Sequence, residues 1–107
     1  MQQDRILSSI SLATKAGKTV SGEFSVEKAV KEGKACLVVV SEEASDNTKK
    51  MFKNMCTFYN VPLYFYGTKQ SLGHFMGKEF RASLAVTEQG LAGSVTKQLT
   101  LAGIEKQ

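Results

Sequence analysis

Six consecutive apolar residues, Ala35–Val40, constrain the fold of this chain more strongly than any other segment. Apolar and polar residues do not alternate within this run, so an extended segment here has both faces covered. The pattern is typical of a strand in a parallel sheet that carries helices on both sides. No apolar run in the sequence is long enough for a transmembrane helix. We therefore expect a globular α/β fold.

Helix and strand signals alternate along the rest of the chain. The predicted strands are short and lie at Lys18–Ser21, Ala35–Val40, Leu63–Tyr66 and Ser83–Thr87. The predicted helices begin at capping residues and lie at Asp4–Ala16, Ser21 or Gly22 to Gly33, Ser45 or Asp46 to Asn60, Thr68–Gly77 and about Leu91–Leu99. This alternation predicts a three-layer α/β/α sandwich, formed by residues 1–107 as one domain.

The third predicted helix carries apolar side chains that we expect to form its buried face, namely Met51, Phe52, Met55, Cys56 and Tyr59. The two cysteines, Cys36 and Cys56, fit neither a metal-binding spacing nor a disulfide framework. We expect both to be buried reduced thiols, because free cysteine is among the most buried residue types.

The charge of the chain mildly favours polyanionic partners. Fourteen Lys and Arg residues against ten Asp and Glu residues give a net charge of +4 and a pI near 9.1. The opening residues, Met1–Arg5, do not begin a signal peptide, because an acidic residue and then Ser8 and Ser9 interrupt the region. We therefore expect a cytoplasmic protein that does not bind a membrane.

The stretch Gly17–Glu23 is the first candidate binding site. It places Lys18 and several small residues before a helix that opens at Ser21 or Gly22. A basic loop with free backbone N–H groups, followed by a helix start, is suited to an anion. Because no catalytic constellation accompanies it, the expected anion is a nucleic-acid backbone.

Lys28 extends this candidate site, and two interpretations of it remain open. With Lys31 and Lys34 it forms a group at nearly helical spacing, interleaved with glutamates, which is typical of a solvated helix face. Its place near the predicted start of the second helix also favours a phosphate contact.

Signals for catalysis, metal binding or cofactor binding are weak. The residues Gly17–Thr19 resemble the end of a phosphate-binding Walker A loop, but Leu12 stands at the first glycine position, and a helix precedes where a strand is needed. His74 is the only histidine and has no second ligand at metal spacing, so we expect a surface or partly packed side chain. Helix-capping and surface roles account best for the acidic residues Glu42, Glu43 and Asp46.

Seven motifs together carry a resemblance to a known family: Leu12–Lys18, Ser21–Glu23, Lys28–Val30, Ala35–Val40, Ala44–Lys50, Tyr59–Pro62 and Gly67–Gly73. In order and spacing the chain resembles the kink-turn RNA-binding ribosomal proteins of the L7Ae and L30e type, and within them the bacterial YlxQ-like branch. The resemblance extends from Ile6 to about Val95. It implies an α/β/α sandwich around a mixed four-stranded sheet. It also implies binding to a kink-turn, an RNA helix sharply bent at a bulge beside tandem sheared G·A pairs.

The resemblance further implies which residues contact RNA. In this family the N-terminus of the second helix enters the groove at the G·A pairs through a Gly-x-Asn-Glu-x-x-Lys motif. Gly22 and Lys28 match its ends, whereas Phe24 and Ser25 occupy the Asn and Glu positions, so the base-reading pair is not retained. Phe24 is then either a core residue or an exposed stacking surface. Glu23 is a candidate acceptor if the register shifts.

A second RNA-contacting region is implied further along the chain. Lys69 matches a lysine that the family often directs at RNA, and a loop near the last strand packs on the extruded bulge nucleotide. Phe80, Arg81 and Ala82 are the candidates for that loop, although Phe80 equally fits the core. The complete predicted RNA-binding set is Lys18, Ser21, Gly22, Glu23, Phe24, Ser25, Lys28, Lys69, Phe80, Arg81 and Ala82.

Three functional hypotheses follow. The leading one is a non-enzymatic, monomeric protein that binds kink-turn-type RNA, in the ribosome or in another structured RNA, without a cofactor. The alternative is a protein-interaction module on the same fold whose RNA face has decayed, which the loss of the Asn-Glu pair favours. A small nucleotide-binding enzyme is the third, and no visible catalytic set supports it.

Overall fold

The computed structural model describes residues 4–107, so the first three residues of the segment used in the signal-peptide prediction lie outside the described residues. Five helices lie in these residues: α1 (Arg5–Lys15), α2 (Glu23–Lys31), α3 (Asp46–Tyr59), α4 (Lys69–Phe75) and α5 (Gln89–Leu101). They alternate with four strands: β1 (Thr19–Ser21), β2 (Leu37–Val40), β3 (Leu63–Phe65) and β4 (Ser83–Val86). The predicted order of elements is confirmed, and most boundaries differ by only one or two residues.

The four strands form one mixed sheet in the order β1-β4-β2-β3. Strand β2 runs parallel to β3 and antiparallel to β4, and β1 pairs antiparallel with β4. All four residues of β2 are buried, as its apolar sequence predicts. The burial arises because helices cover both faces of the sheet, and it does not require every neighbouring strand to be parallel. The mixed four-stranded sheet implied by the family resemblance is confirmed.

Alternation along β2 divides the interior into two cores. Leu37 and Val39 belong to a core with α1, α4 and α5, whereas Val38 and Val40 belong to a core with α2 and α3. Successive side chains of a strand point to opposite faces, so one short strand anchors both helical layers. The predicted α/β/α sandwich is therefore confirmed.

Local capping explains where several elements start and stop. The Ser45 hydroxyl accepts a hydrogen bond from the Thr48 N–H at the start of α3, and Asn60 ends that helix in the left-handed conformation at φ 58°. Helix α5 begins at Gln89, earlier than expected, because the Glu88 carboxylate accepts hydrogen bonds from the first-turn N–H groups. These two bonds also lower the pKa of Glu88.

The predicted buried face of α3 is too wide. Phe52, Met55 and Cys56 are buried, whereas Met51 is only partly buried and Tyr59 is 40% exposed. Phe52 and Cys56 are four residues apart and belong to the core against the sheet, while Met51 and Tyr59 lie on the neighbouring stripe of the helix, beside α2.

The expectation for the two thiols is confirmed for only one of them. Burial raises the pKa of the Cys56 thiol to about 11. Cys36 was predicted to lie within the second strand, but it precedes β2 and is partly exposed. Within residues 4–107, no helix combines the length and the apolar character that a membrane crossing demands.

The burial of α3 gives a stability prediction. Phe52 is fully buried in the α2 and α3 core, so Phe52→Ala should lower the free energy of unfolding by about 3–5 kcal/mol. Phe58→Ala makes the same chemical change at a side chain that is 80% exposed, and it should change the free energy of unfolding by no more than about 0.5 kcal/mol. Urea denaturation of both variants measures the difference, and equal losses would contradict the assignment of the buried face.

Candidate functional site

Arg81 connects two segments that are far apart in the sequence. Its Nε donates a hydrogen bond to the Ser21 Oγ over 2.8 Å, just before α2. Its backbone N–H donates to the Lys69 carbonyl at the start of α4, over 3.0 Å. Its Nη1 donates to the carbonyl of Phe80, over 2.7 Å. The start of α2, the start of α4 and the segment before β4 therefore meet at one end of the sheet.

Ser41 is a buried residue that hydrogen-bonds the segments around this meeting point. Its N–H donates to the Ala82 carbonyl over 2.8 Å, and its hydroxyl donates to the Gly67 carbonyl over 3.0 Å. The same hydroxyl accepts a hydrogen bond from the Glu43 N–H. Ser41 is fully buried and is not among the residues predicted from the sequence. A single hydroxyl directly after a fully apolar strand is the signal that points to it.

The N-terminus of α2 is open to a ligand. Gly22 is its N-cap, with φ 92° and ψ 148°, and no side chain caps the helix. Each of the other four described helices has a side-chain cap. The backbone conformation of Gly22 is accessible to glycine and strained for other residues, so the turn itself requires glycine. The sequence left open whether α2 opens at Ser21 or at Gly22. Gly22 is the N-cap, because the Ser21 hydroxyl accepts a hydrogen bond from Arg81 instead of capping the helix.

The exposed first turn of α2 consists of Glu23, Phe24 and Ser25. Their backbone N–H groups have no hydrogen-bond partner among residues 4–107. Together with the helix dipole, three such donors favour an anion at this point.

Two exposed aromatic residues lie close in sequence to Ser21 and Arg81. Phe24 is 79% exposed and Phe80 is 60% exposed, so neither is a core residue. Phe24 lies two positions after the N-cap of α2, and Phe80 directly precedes Arg81. Exposed phenyl rings are suited to stacking on planar ligands.

Lys28 does not lie at the start of α2 as expected. It is in the last turn of the helix, about 7.5 Å along the axis from Glu23 at 1.5 Å per residue. It follows Phe24 by four residues and shares its face of the helix. Helical side chains lean towards the N-terminus, so an extended lysine reaches back towards the open turn.

The remaining predicted residues divide between the site and its surroundings. The Lys69 N–H donates to the Glu43 carboxylate over 2.8 Å, so the first turn of α4 is already capped and Lys69 offers only its side chain. Lys18 does not join the cluster. It precedes β1 at the end remote from Ser21, and its N–H and carbonyl are bound by Ala13 and Thr87. The expected loop of free donors at Gly17 and Lys18 is therefore wrong.

The charges of the site are largely unpaired. Among residues 4–107, the only ion pairs are Lys31–Glu27 and Lys34–Glu32. The solvated-face interpretation therefore fits Lys31 and Lys34. Lys28, Lys69 and Arg81 remain available to an anionic ligand.

His74 is exposed and packs edge-to-face on Phe75, as expected for a surface or partly packed side chain. Within the described part of the chain, no three His, Cys, Asp or Glu residues are placed to hold a metal ion. The arrangement offers N–H donors, cations and aromatic faces, which are binding groups.

Gly73 fixes the position of the segment that carries Phe80 and Arg81. A Cβ at Gly73 would lie 2.5 Å from the Glu79 carbonyl oxygen and 2.8 Å from the Phe80 nitrogen. The Gly73 carbonyl also accepts a hydrogen bond from the Lys78 N–H over 2.7 Å. Helix α4 and this segment therefore touch backbone to backbone, which only glycine permits.

The chain is similar to a known protein family and to two named proteins. Residues 4–96 match the model of the Ribosomal protein L7Ae/L30e/S12e/Gadd45 family. The chain is 40% identical over 90 residues to the RNA-binding protein YlxQ of Bacillus subtilis, covering 84% of this chain and 90% of that protein. It is 34% identical over 89 residues to the large ribosomal subunit protein eL30 of Trypanosoma brucei brucei, covering 81% and 85%.

A solved structure is similar over nearly its whole length. A protein with unknown function from Bacillus halodurans C matches with a TM-score of 0.88 and 32% identity, covering 92% of this chain and 99% of that chain. The family and the branch suggested by the sequence motifs are confirmed. The two named relatives carry names that refer to RNA binding or to the ribosome, in agreement with a non-enzymatic class.

The close approach at Gly73 gives a second prediction. Gly73→Ala should displace the segment around Phe80 and lower the melting temperature, because the new methyl group meets backbone atoms that cannot rotate away. Gly93→Ala is the matched control: its Cβ meets no atom within 4 Å, and alanine should stabilise α5 by up to about 1 kcal/mol. Thermal unfolding that leaves Gly73→Ala unchanged would contradict the packing described here.

Proposed function

The chain belongs to the Ribosomal protein L7Ae/L30e/S12e/Gadd45 family, and we propose that it binds structured RNA of the kink-turn type as a monomer. We place the RNA in the ribosome or in another structured RNA, and the protein in the cytoplasm. The relatives named as an RNA-binding protein and as a ribosomal subunit protein support RNA as the partner. The proposal involves no cofactor and no reaction.

The uncapped N-terminus of α2 carries the proposal. An RNA phosphate at the N–H groups of Glu23, Phe24 and Ser25 would supply the hydrogen bonds that these donors lack among the described residues. It would also lie near Lys28 and Arg81, which enter no ion pair within residues 4–107. Contacts of this kind fix the position of the RNA without reading its sequence.

Phe24 and Ser25 change how such an RNA would be read. The family motif places an amide and a carboxylate at these positions, and both groups hydrogen-bond base edges. A phenyl ring cannot do so, but an exposed ring can stack on an unpaired base. We propose that Phe24 and Phe80 supply stacking surfaces, and that Lys28, Lys69 and Arg81 contact phosphates. A bent, bulged RNA offers both unpaired bases and closely spaced phosphates.

The alternative function is a protein-interaction module whose RNA face has decayed, and the loss of the Asn-Glu pair is the observation that favours it. The two functions make opposite predictions for RNA. A decayed face retains only generic attraction between a chain of charge +4 and any polyanion. It therefore does not distinguish a bent RNA from a straight one.

The first functional prediction concerns RNA shape and salt. A kink-turn RNA should bind more tightly than a straight duplex of equal length and charge. Three phosphates contacted by Lys28, Lys69 and Arg81 correspond to a slope of log affinity against log salt of roughly −2 to −3. Fluorescence anisotropy titrations at several salt concentrations measure both quantities. Equal affinity for the two RNAs would support the decayed-face alternative.

The second functional prediction concerns Lys28. Because the side chain is exposed, Lys28→Ala should leave the fold stable and weaken binding of the kink-turn RNA by about 1–3 kcal/mol. Lys97→Ala removes the same charge from an exposed position on α5, across the sheet from α2, and should have a much smaller effect. Equal losses of RNA affinity in the two variants would indicate that Lys28 acts only through the net charge of the protein.

The third functional prediction separates stacking from base reading. Phe24→Ala should weaken binding by about 1–3 kcal/mol if a base stacks on the ring. Leu101→Ala, which truncates another exposed apolar side chain on the opposite layer, should leave the affinity unchanged. Phe24→Asn restores the family residue and should increase the dependence on the G·A pairs. Unchanged affinity in Phe24→Ala would show that the ring does not contact RNA.

A further inference from the structure

We propose that an unpaired strand of the bound RNA continues from the candidate RNA surface across α4 to the end of α1. Two adjoining depressions form this route, which we call the α1–α4 groove. The first has a volume of about 680 Å³, and its lining includes Gln70, His74, Lys78 and Phe80. The second has a volume of about 420 Å³, and its lining includes Lys15 of α1. The inference rests on the proposed function and extends it to a further part of the RNA.

The groove is continuous with the candidate RNA surface at one end. His74 and Phe75 line both depressions, so the two meet at the exposed side of α4. The first depression also reaches Phe80, which directly precedes Arg81. An RNA strand that passes Arg81 therefore has a direct way into the groove.

The charges of the groove favour a polyanion. Lys78 lines the first depression and Lys15 the second, and both side chains are exposed. Neither lysine enters an ion pair among residues 4–107. Glu79, in the first depression, is the only acidic residue that the described part of the chain contributes to the lining. Two separated cations along one groove suit successive phosphates of a strand.

The ends of α1 and α4 lie at the groove, and their carbonyl groups are largely occupied. The carbonyls of Ala13, Thr14, Gly73 and His74 accept hydrogen bonds from backbone N–H groups of the turns that follow. A helix C-terminus repels an anion through its unsatisfied carbonyls. These bonds weaken that repulsion, and the Lys15 side chain in the last turn of α1 offsets it further.

The uncharged side chains of the groove suit nucleobases better than a protein segment. Gln70 and His74 are exposed and lie four residues apart on one side of α4. An amide hydrogen-bonds the edge of an unpaired base, and an imidazole ring stacks on its face. Among the described lining residues, Phe80 is the only large apolar side chain that is mostly exposed. A protein partner would therefore find little apolar surface for the core of an interface.

RNA molecules with unpaired extensions test the proposal on the full chain. A kink-turn RNA is prepared without an extension and with about six unpaired uridines at its 5′ end or at its 3′ end. One of the two extensions should tighten binding roughly tenfold, which corresponds to about 1.4 kcal/mol. It should also steepen the slope of log affinity against log salt by roughly 1.4, because each phosphate of a single strand contributes about 0.7. Fluorescence anisotropy measures both quantities.

Substitutions at the two cations locate the extension on the protein. Lys15→Ala and Lys78→Ala should each remove about half of the added salt slope and leave the affinity for the unextended RNA unchanged. Lys97→Ala removes the same charge from an exposed position on α5 that lines neither depression, and it should change neither quantity. All three side chains are exposed, so the variants should keep the melting temperature of the parent.

The outcomes separate this inference from the proposed function. If the unextended kink-turn RNA binds no more tightly than a straight duplex, the proposed function fails, and the continuation across α4 fails with it. If it binds more tightly but neither extension adds affinity, or Lys15→Ala and Lys78→Ala keep the full gain, only the continuation is overturned. An equal gain from extending the straight duplex would show generic attraction to unpaired strands and would also overturn it. A polyglutamate peptide that displaces the extension as effectively as oligouridine would assign the groove to an acidic protein segment instead.

Discussion

Burial of β2 on both faces is the constraint on which the rest of the structure depends. Four consecutive buried residues contribute alternately to two cores, so one strand of 13 Å or so fixes a helical layer on each side of the sheet. Its pairing on both edges satisfies the backbone hydrogen bonds that burial would otherwise leave unpaired. Removing either helical layer would expose one face of this strand to water, which couples the two layers energetically.

The end of β2 also determines where the candidate RNA surface lies. Ser41, the first residue after the strand, binds the segments that follow β3 and precede β4 through its N–H and its hydroxyl. Arg81 then extends the connection to Ser21 and the start of α2. Segments separated by 60 residues therefore form one surface, and partly buried hydrogen bonds hold their relative positions.

Helix α2 presents two sets of groups at the candidate RNA surface. Its N-terminus offers N–H groups, and its exposed face carries Phe24 and Lys28 at four-residue spacing. In the proposed function, Phe24 and Ser25 in place of the family's Asn and Glu would shift recognition from base edges towards stacking. Stacking tolerates different bases, so the shape of an RNA would matter more than its sequence.

The sequence by itself determined the order of elements, the two-sided burial of Leu37–Val40, the ends of α3 at Ser45 and Asn60, and the family. These are local signals, set by side-chain periodicity, capping groups and backbone preferences, and they act within a few residues. The candidate RNA residues Gly22 to Lys28 also came from the sequence, because the family motif runs continuously along this segment, and their role in RNA binding stays a prediction.

Only the tertiary structure decided the rest. The Ser21 hydroxyl binds Arg81 instead of capping α2, and Lys18 lies at the end of β1 that is remote from α2. Phe24 and Phe80 are exposed, and Tyr59 lies beside α2 instead of in the core. Each of these outcomes depends on which distant segment lies opposite a side chain. Periodicity identifies that a face is apolar or polar, but the neighbour that covers it is set by strand order and helix packing, which involve the whole chain at once.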